Sequence, residues 1–126
     1  MGISGVEEER PMLATGKIVQ DYRPLIKYLE LISEDERAKV LPKSSDIEMV
    51  RALVEQGYVV LEEILGQIIQ VVKDRFDPTL SCRVVEEVLG LELEENEAVN
   101  YLAKLLAGWI IEIAERLGVI NLKAGW

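Results

Sequence analysis

Apolar side chains recur at steps of three and four residues along most of the chain, which is the spacing of one side of an α-helix. The first such segment extends from about Thr15 to Ile32 and is interrupted by Pro24. Either this helix kinks at the proline, or its main part begins near Arg23 with the proline in its first turn. No segment shows the alternation of a β-strand. The pattern therefore predicts an all-α fold, a helical bundle of about five helices.

Two of the predicted helices are long and should dominate the bundle. One is predicted over residues 46–76, opened by a capping box of Ser45 and Glu48. Its apolar arc is wider than a single neighbouring helix covers. The other is predicted over residues 94–117, and its middle, LLAGWII, is apolar on all sides. A helix that is apolar on all sides is buried on most of them.

Capping patterns delimit the shorter helices. Ser33 and Glu36 form a capping box, in which hydroxyl and carboxylate groups satisfy the first free N–H groups of a helix. Asp77 and Pro78 are typical of an N-cap followed by the first helical position. Gly90 is the expected left-handed residue at the end of that helix.

The segment VEEVLGLELEENEAVNYLAKL, residues 85–105, has the outline of a DNA-reading helix-turn-helix. In that motif the first turn of the second helix contacts base edges, and basic residues neutralise phosphates. Here that turn carries Glu92, Glu94, Glu95 and Glu97. A DNA duplex would repel these carboxylates, whereas the positive end of a helix dipole favours them. We therefore interpret the segment as a structural helical hairpin.

Length and composition narrow the class of protein. The 126 residues correspond to about one domain, and 49% of them are hydrophobic, enough for a core. We predict a flexible or loosely docked N-terminal arm over residues 1–16 and a single helical domain over residues 17–126. The net charge of −9 disfavours nucleic acid and anionic membrane as partners. The abundance of Glu, Ile, Val and Leu, with few Asn and Gln, is typical of thermophilic proteins.

The absence of histidine removes the commonest general base and metal ligand, and with it any Cys–His nucleophile. The single cysteine, Cys82, cannot form an intramolecular disulfide, which favours a cytoplasmic location. Arg83 beside it could lower the pKa of its thiol, although a small buried apolar role fits it better. We assign no catalytic residue and no cofactor.

Carboxylate pairs recur along the chain, and paired Glu on facing helices could hold Mg²⁺. A metal-dependent hydrolase is therefore an alternative, with no metal ligands assigned. The pairs are Glu62–Glu63, Glu86–Glu87, Glu92/Glu95 and Glu112/Glu115.

The segment IIEIAERLGVINLK, residues 110–123, resembles the last helix of the all-α MazG-type nucleotide pyrophosphohydrolases. The resemblance implies acidic metal ligands about two and three turns upstream on that helix. The matching segment, YLAKLLAGW, has no carboxylate. This departure from the family pattern puts the activity in doubt, and we do not transfer it to this chain.

Basic residues concentrate in the N-terminal half, and they suggest a second alternative: a nucleic-acid-associated regulator or complex subunit. The expected basic face consists of Lys17, Arg23, Lys27, Arg37, Lys39 and Lys43. A solvated surface of mixed sign explains the same residues more simply.

The leading hypothesis is a non-catalytic helical protein–protein interaction protein, which self-associates as a homodimer or is a small subunit of a larger complex. Wide apolar faces on helices usually indicate an interface. Neither nucleic acid nor membrane is expected as a partner. The interface candidates are Leu53, Val60, Ile64, Gly108 and Trp109.

Overall fold

The structure, a computed structural model, describes residues 20–121. These residues form helices and connecting segments with no β-strand among them, so the predicted all-α bundle is confirmed. The predicted arm over residues 1–16 lies outside the described residues. The helices are α1 (Arg23–Leu31), α2 (Glu34–Val40), α3 (Ser44–Glu55), α4 (Leu61–Val72), α5 (Pro78–Leu89) and α6 (Glu95–Arg116), and a 3₁₀ turn (Lys73–Arg75) follows α4.

The first helices begin at residues whose chemistry suits a helix start. α1 begins at Arg23 with Pro24 in its first turn, which decides between the two alternatives left open by the sequence. Before α2, the backbone N–H of Glu36 donates to the Ser33 hydroxyl at 3.2 Å. The N–H of Ser33 donates to the Glu36 carboxylate at 3.3 Å. The predicted capping box is therefore present.

The prediction of one continuous helix over residues 46–76 is wrong. The chain forms two helices there, α3 and α4, separated at Gly57, whose backbone has a φ of +101°. The N–H of Tyr58 donates to the carbonyl of Leu53, and the N–H of Gly57 donates to Val54, each at 3.0 Å. These two bonds satisfy the last carbonyls of α3 and terminate the helix as a Schellman motif.

The predicted capping box of Ser45 and Glu48 is also absent at the start of α3. The helix begins one residue earlier, at Ser44, and Lys43 is the N-cap residue. The carboxylate of Asp46 accepts a bond from the backbone N–H of Lys43 at 2.9 Å. The buried carboxylate of Asp46 thus caps the helix in place of the predicted Glu48.

The predicted long helix over residues 94–117 is confirmed as α6, which lies at the centre of the bundle. It contacts α1, α3, α4 and α5. The apolar segment LLAGWII is buried except at Trp109, which is half-buried. The buried positions of this helix are Ala98, Leu102, Ala103, Leu105, Leu106, Ala107, Gly108, Ile110, Ile111 and Ala114.

Candidate interaction groove

A groove of about 350 Å³ lies between α1 and α6, and we call it the α1/α6 groove. Apolar and aromatic side chains form most of its surface, and a carboxylate and a guanidinium lie on the α6 side. The lining residues are Tyr22, Leu25, Ile26, Leu29, Trp109, Glu112 and Arg116.

The α1 side of the groove is built by an apolar arc broader than the core requires. Leu25 is 2% exposed and belongs to the core, whereas the adjacent Ile26 is 52% exposed. Leu29, one turn beyond Leu25, is half-buried. Since neighbouring helical residues point about 100° apart, the apolar pair at 25 and 26 extends the apolar surface of α1 outward from the core.

The α6 side is built by Trp109, Glu112 and Arg116, which follow one another at three- and four-residue steps and therefore share one edge of the helix. Trp109 lies between buried Gly108 and buried Ile110. Its indole borders the core and also lines the groove.

Gly108, one of the predicted interface residues, is buried beside Trp109. A Cβ built on Gly108 would overlap the carboxamide of Gln20. The glycine accommodates this carboxamide at the point where the chain enters α1.

A chain of hydrogen bonds connects the two sides of the groove. Gln20 Nε2 donates to the Tyr22 hydroxyl at 3.2 Å, and that hydroxyl donates to Glu112 Oε2 at 3.1 Å. Burial raises the pKa of Tyr22, as does the negative charge of Glu112, while the bond from Gln20 opposes the increase. Arg116, one turn beyond Glu112, has no ion-pair partner within residues 20–121.

The structure separates the predicted interface residues into two groups. Leu53 and Ile64 pack inside the hydrophobic core of the chain, and Gly108 is also buried. Val60 is 43% exposed just before α4, and Trp109 lines the α1/α6 groove. Ile26 was not among the predicted interface residues, although the apolar pair Leu25–Ile26 in an otherwise periodic helix was a signal for it.

Two of the predicted basic residues serve as helix caps. Arg37 Nε donates to the carbonyl of Leu29 at 2.9 Å, at the end of α1. Lys43 Nζ donates to the carbonyls of Lys39 and Leu41 at 2.5 and 3.3 Å, at the end of α2. Burial, and then the nearby Arg75, lower the pKa of Lys43. These cations neutralise helix C-termini within the chain.

Of the remaining basic residues, only some have a charge that is free to contact a nucleic acid. Arg23 forms an exposed ion pair with Asp21 at 2.6 Å, and the hydrogen bond from Arg23 lowers the pKa of that carboxyl to about 2. Lys27 and Lys39 have ammonium groups without a partner among residues 20–121, and Lys17 lies outside that range. The five of these residues that the structure describes do not form a group of unpaired cations.

Cys82 does not have the activated thiol that its neighbour Arg83 suggested. Burial and the charges of Glu95 and Glu86 raise the pKa of the thiol. Its Sγ donates to the carbonyl of Leu93 at 3.3 Å, while Arg83 lies 4.0 Å from Glu87 on the surface. The thiol is therefore less ionised than a free cysteine.

Within the part of the chain that the structure describes, no three His, Cys, Asp or Glu side chains converge as a metal-binding group. Among the described helices, none has the length and apolar content needed to cross a membrane. The chain matches no protein-family model, and searches of curated proteins and of solved structures found no match.

Proposed function

We propose that the chain is a non-catalytic helical protein–protein interaction protein, which self-associates or is a small subunit of a larger complex, and that the α1/α6 groove is its docking surface. The single half-buried cysteine suits a reducing compartment, and we place the protein in the cytoplasm.

The observation that supports this proposal is the set of residue types in the groove. Trp109, Tyr22 and Arg116 line it, and Trp, Tyr and Arg are the residues most enriched at interface hot spots. Ile26 adds an apolar side chain that is half exposed to solvent. Such a combination of a concave apolar surface with a polar edge is typical of the centre and rim of an interface.

A charged substitution on the groove tests the proposal. We expect Ile26→Glu to abolish assembly, because a carboxylate on the groove would have to be desolvated against Trp109. The apparent mass of the tagged chain is measured by gel filtration in a lysate of the source organism. The mass of the purified chain is measured by light scattering. We expect a mass well above 14.2 kDa for the parent in at least one of the two.

Val71→Glu is the matched control, because Val71 is an apolar residue on α4 with nearly the same exposure, 50%, outside the groove. It should leave the mass unchanged. The proposed function is wrong if the parent is a monomer in both measurements, or if Ile26→Glu and Val71→Glu behave alike.

A further inference from the structure

Resting on the proposed function, we infer that the occupant of the α1/α6 groove is a second copy of this chain. The two copies form a twofold-symmetric dimer in which Arg116 of each copy meets Glu112 of the other.

The first observation is a pair of opposite charges that do not neutralise each other within the chain. Glu112 and Arg116 are four residues apart on the same edge of α6, in the order that favours a helical ion pair. No such pair forms, and Glu112 is held instead by the Tyr22 hydroxyl at 3.1 Å. An exposed cation and a carboxylate with unused acceptor capacity therefore lie one turn apart on the groove.

The second observation is that twofold symmetry would pair these charges between two copies. A twofold axis passing beside α6 halfway between these two residues would set the α6 edges of two copies antiparallel. Each Glu112 would then lie opposite an Arg116, forming two ion pairs, and the apolar surface of the groove would pack against its own copy. Packed helices lie 8–10 Å apart, a distance that a long Glu and Arg side chain can bridge together.

The overall charge makes this local complementarity necessary. Two copies that each carry −9 repel one another, so a self-contact needs an area where opposite signs face each other. A different partner would have to supply a matching anion and cation at this spacing. A second copy has them already.

Charge reversal gives a sharp test. The dissociation constant of the purified protein is measured by analytical ultracentrifugation. Glu112→Arg alone and Arg116→Glu alone each place like charges opposite one another at both symmetric contacts. Each should raise the dissociation constant about tenfold or more, since exposed pairs contribute up to about 1 kcal/mol each.

An equimolar mixture of the two single variants should recover association as a heterodimer. In that mixture both contacts again join opposite charges. The loss of the Tyr22–Glu112 hydrogen bond is common to the Glu112→Arg variant alone and to the mixture, so recovery isolates the charge pairing.

The matched control is Arg83→Glu, at an exposed i,i+4 pair on α5, which should leave the dissociation constant unchanged. Circular dichroism verifies that every variant is folded.

A parent chain that stays monomeric at all micromolar concentrations overturns this inference, and so does a mixture that fails to recover association. If the purified parent is a monomer while Ile26→Glu still abolishes a complex in lysate, the proposed function stands and only the second copy as occupant is wrong. If removal of residues 1–19 creates dimerisation in a monomeric parent, the occupant is the N-terminal segment instead.

Discussion

Gly57 determines where α3 ends, because its φ of +101° belongs to a region that residues with a Cβ rarely adopt. A Cβ at this position would meet no other atom within 4 Å. The same is true of Gly66, which lies in the interior of α4 with ordinary helical geometry. The two glycines therefore have equal space around them and differ in their backbone conformation.

This difference predicts that alanine substitutions at the two glycines change the free energy of unfolding in opposite directions. Gly57→Ala should lower the free energy of unfolding by about 1–2 kcal/mol, the cost of a left-handed backbone for an L-residue. Gly66→Ala should raise it by about 1 kcal/mol, because alanine is the better residue in a helix interior. Both are measured by denaturant unfolding at one protein concentration. A stabilising Gly57→Ala would indicate that α3 and α4 can join as the continuous helix that the sequence pattern predicted.

At the scale of the helices, the sequence predicts what local chemistry determines. The start of α1 at Arg23, the caps before α2 and α5 and the extent of α6 all follow from residues within one turn of the feature. The break at Gly57 was missed because the apolar spacing continues through it, and a glycine inside a helix costs only about 1 kcal/mol. The β-branched pair Val59–Val60 was a further signal for the break.

The groove could not be predicted from spacing. It depends on contact between Tyr22 and Glu112, which are far apart in the sequence. Periodicity indicates which side of a helix is apolar, but not which other helix covers it. The position of Trp109 at the border of the core is consistent with its place in the apolar segment LLAGWII, beside the buried Ile110. The contribution of Ile26 to the groove could not be predicted in this way, because it depends on the packing of α1 against α6.

A buried ion pair joins the 3₁₀ turn after α4 to the start of α3. Arg75, in the 3₁₀ turn after α4, donates to both oxygens of Asp46 at the start of α3, at 2.6 and 3.1 Å. It also donates to the carbonyl of Val40, at the end of α2, at 3.3 Å. Asp46 is only 2% exposed, so the guanidinium of Arg75 replaces solvent around its carboxylate.

We predict that Arg75→Met lowers the free energy of unfolding by about 3 kcal/mol, because it leaves a buried carboxylate unpaired. The value lies at the low end of the range for buried pairs, since the Arg75 side chain keeps 16% exposure. Adding Asp46→Asn should recover part of the loss, which a double-mutant cycle measures. Arg51→Met, at the exposed pair with Glu48, is the control and should change stability by less than about 0.5 kcal/mol. Equal effects at Arg75 and Arg51 would contradict a structural role for the buried pair.

At the scale of the whole molecule, different sides of α6 have different surroundings. Its buried sides pack against α1, α3, α4 and α5 and form the centre of the core. Another edge of the helix carries Trp109 and Arg116 on the α1/α6 groove. Substitutions on the two sides of this one helix should therefore separate folding stability from association.

Leu106→Ala should lower the free energy of unfolding by about 2–5 kcal/mol, the range for a fully buried leucine. Trp109→Ala should cost less, about 1–2 kcal/mol, because the indole is half-buried, below the 3–5 kcal/mol of a fully buried aromatic residue. Unfolding of both variants is measured in an Ile26→Glu background at fixed concentration, so that association does not add to the apparent stability.

In the parent background, association is measured by light scattering. Trp109→Ala should abolish association while the protein remains folded. If Trp109→Ala costs as much stability as Leu106→Ala and leaves association intact, Trp109 belongs to the core and the groove is not the docking surface.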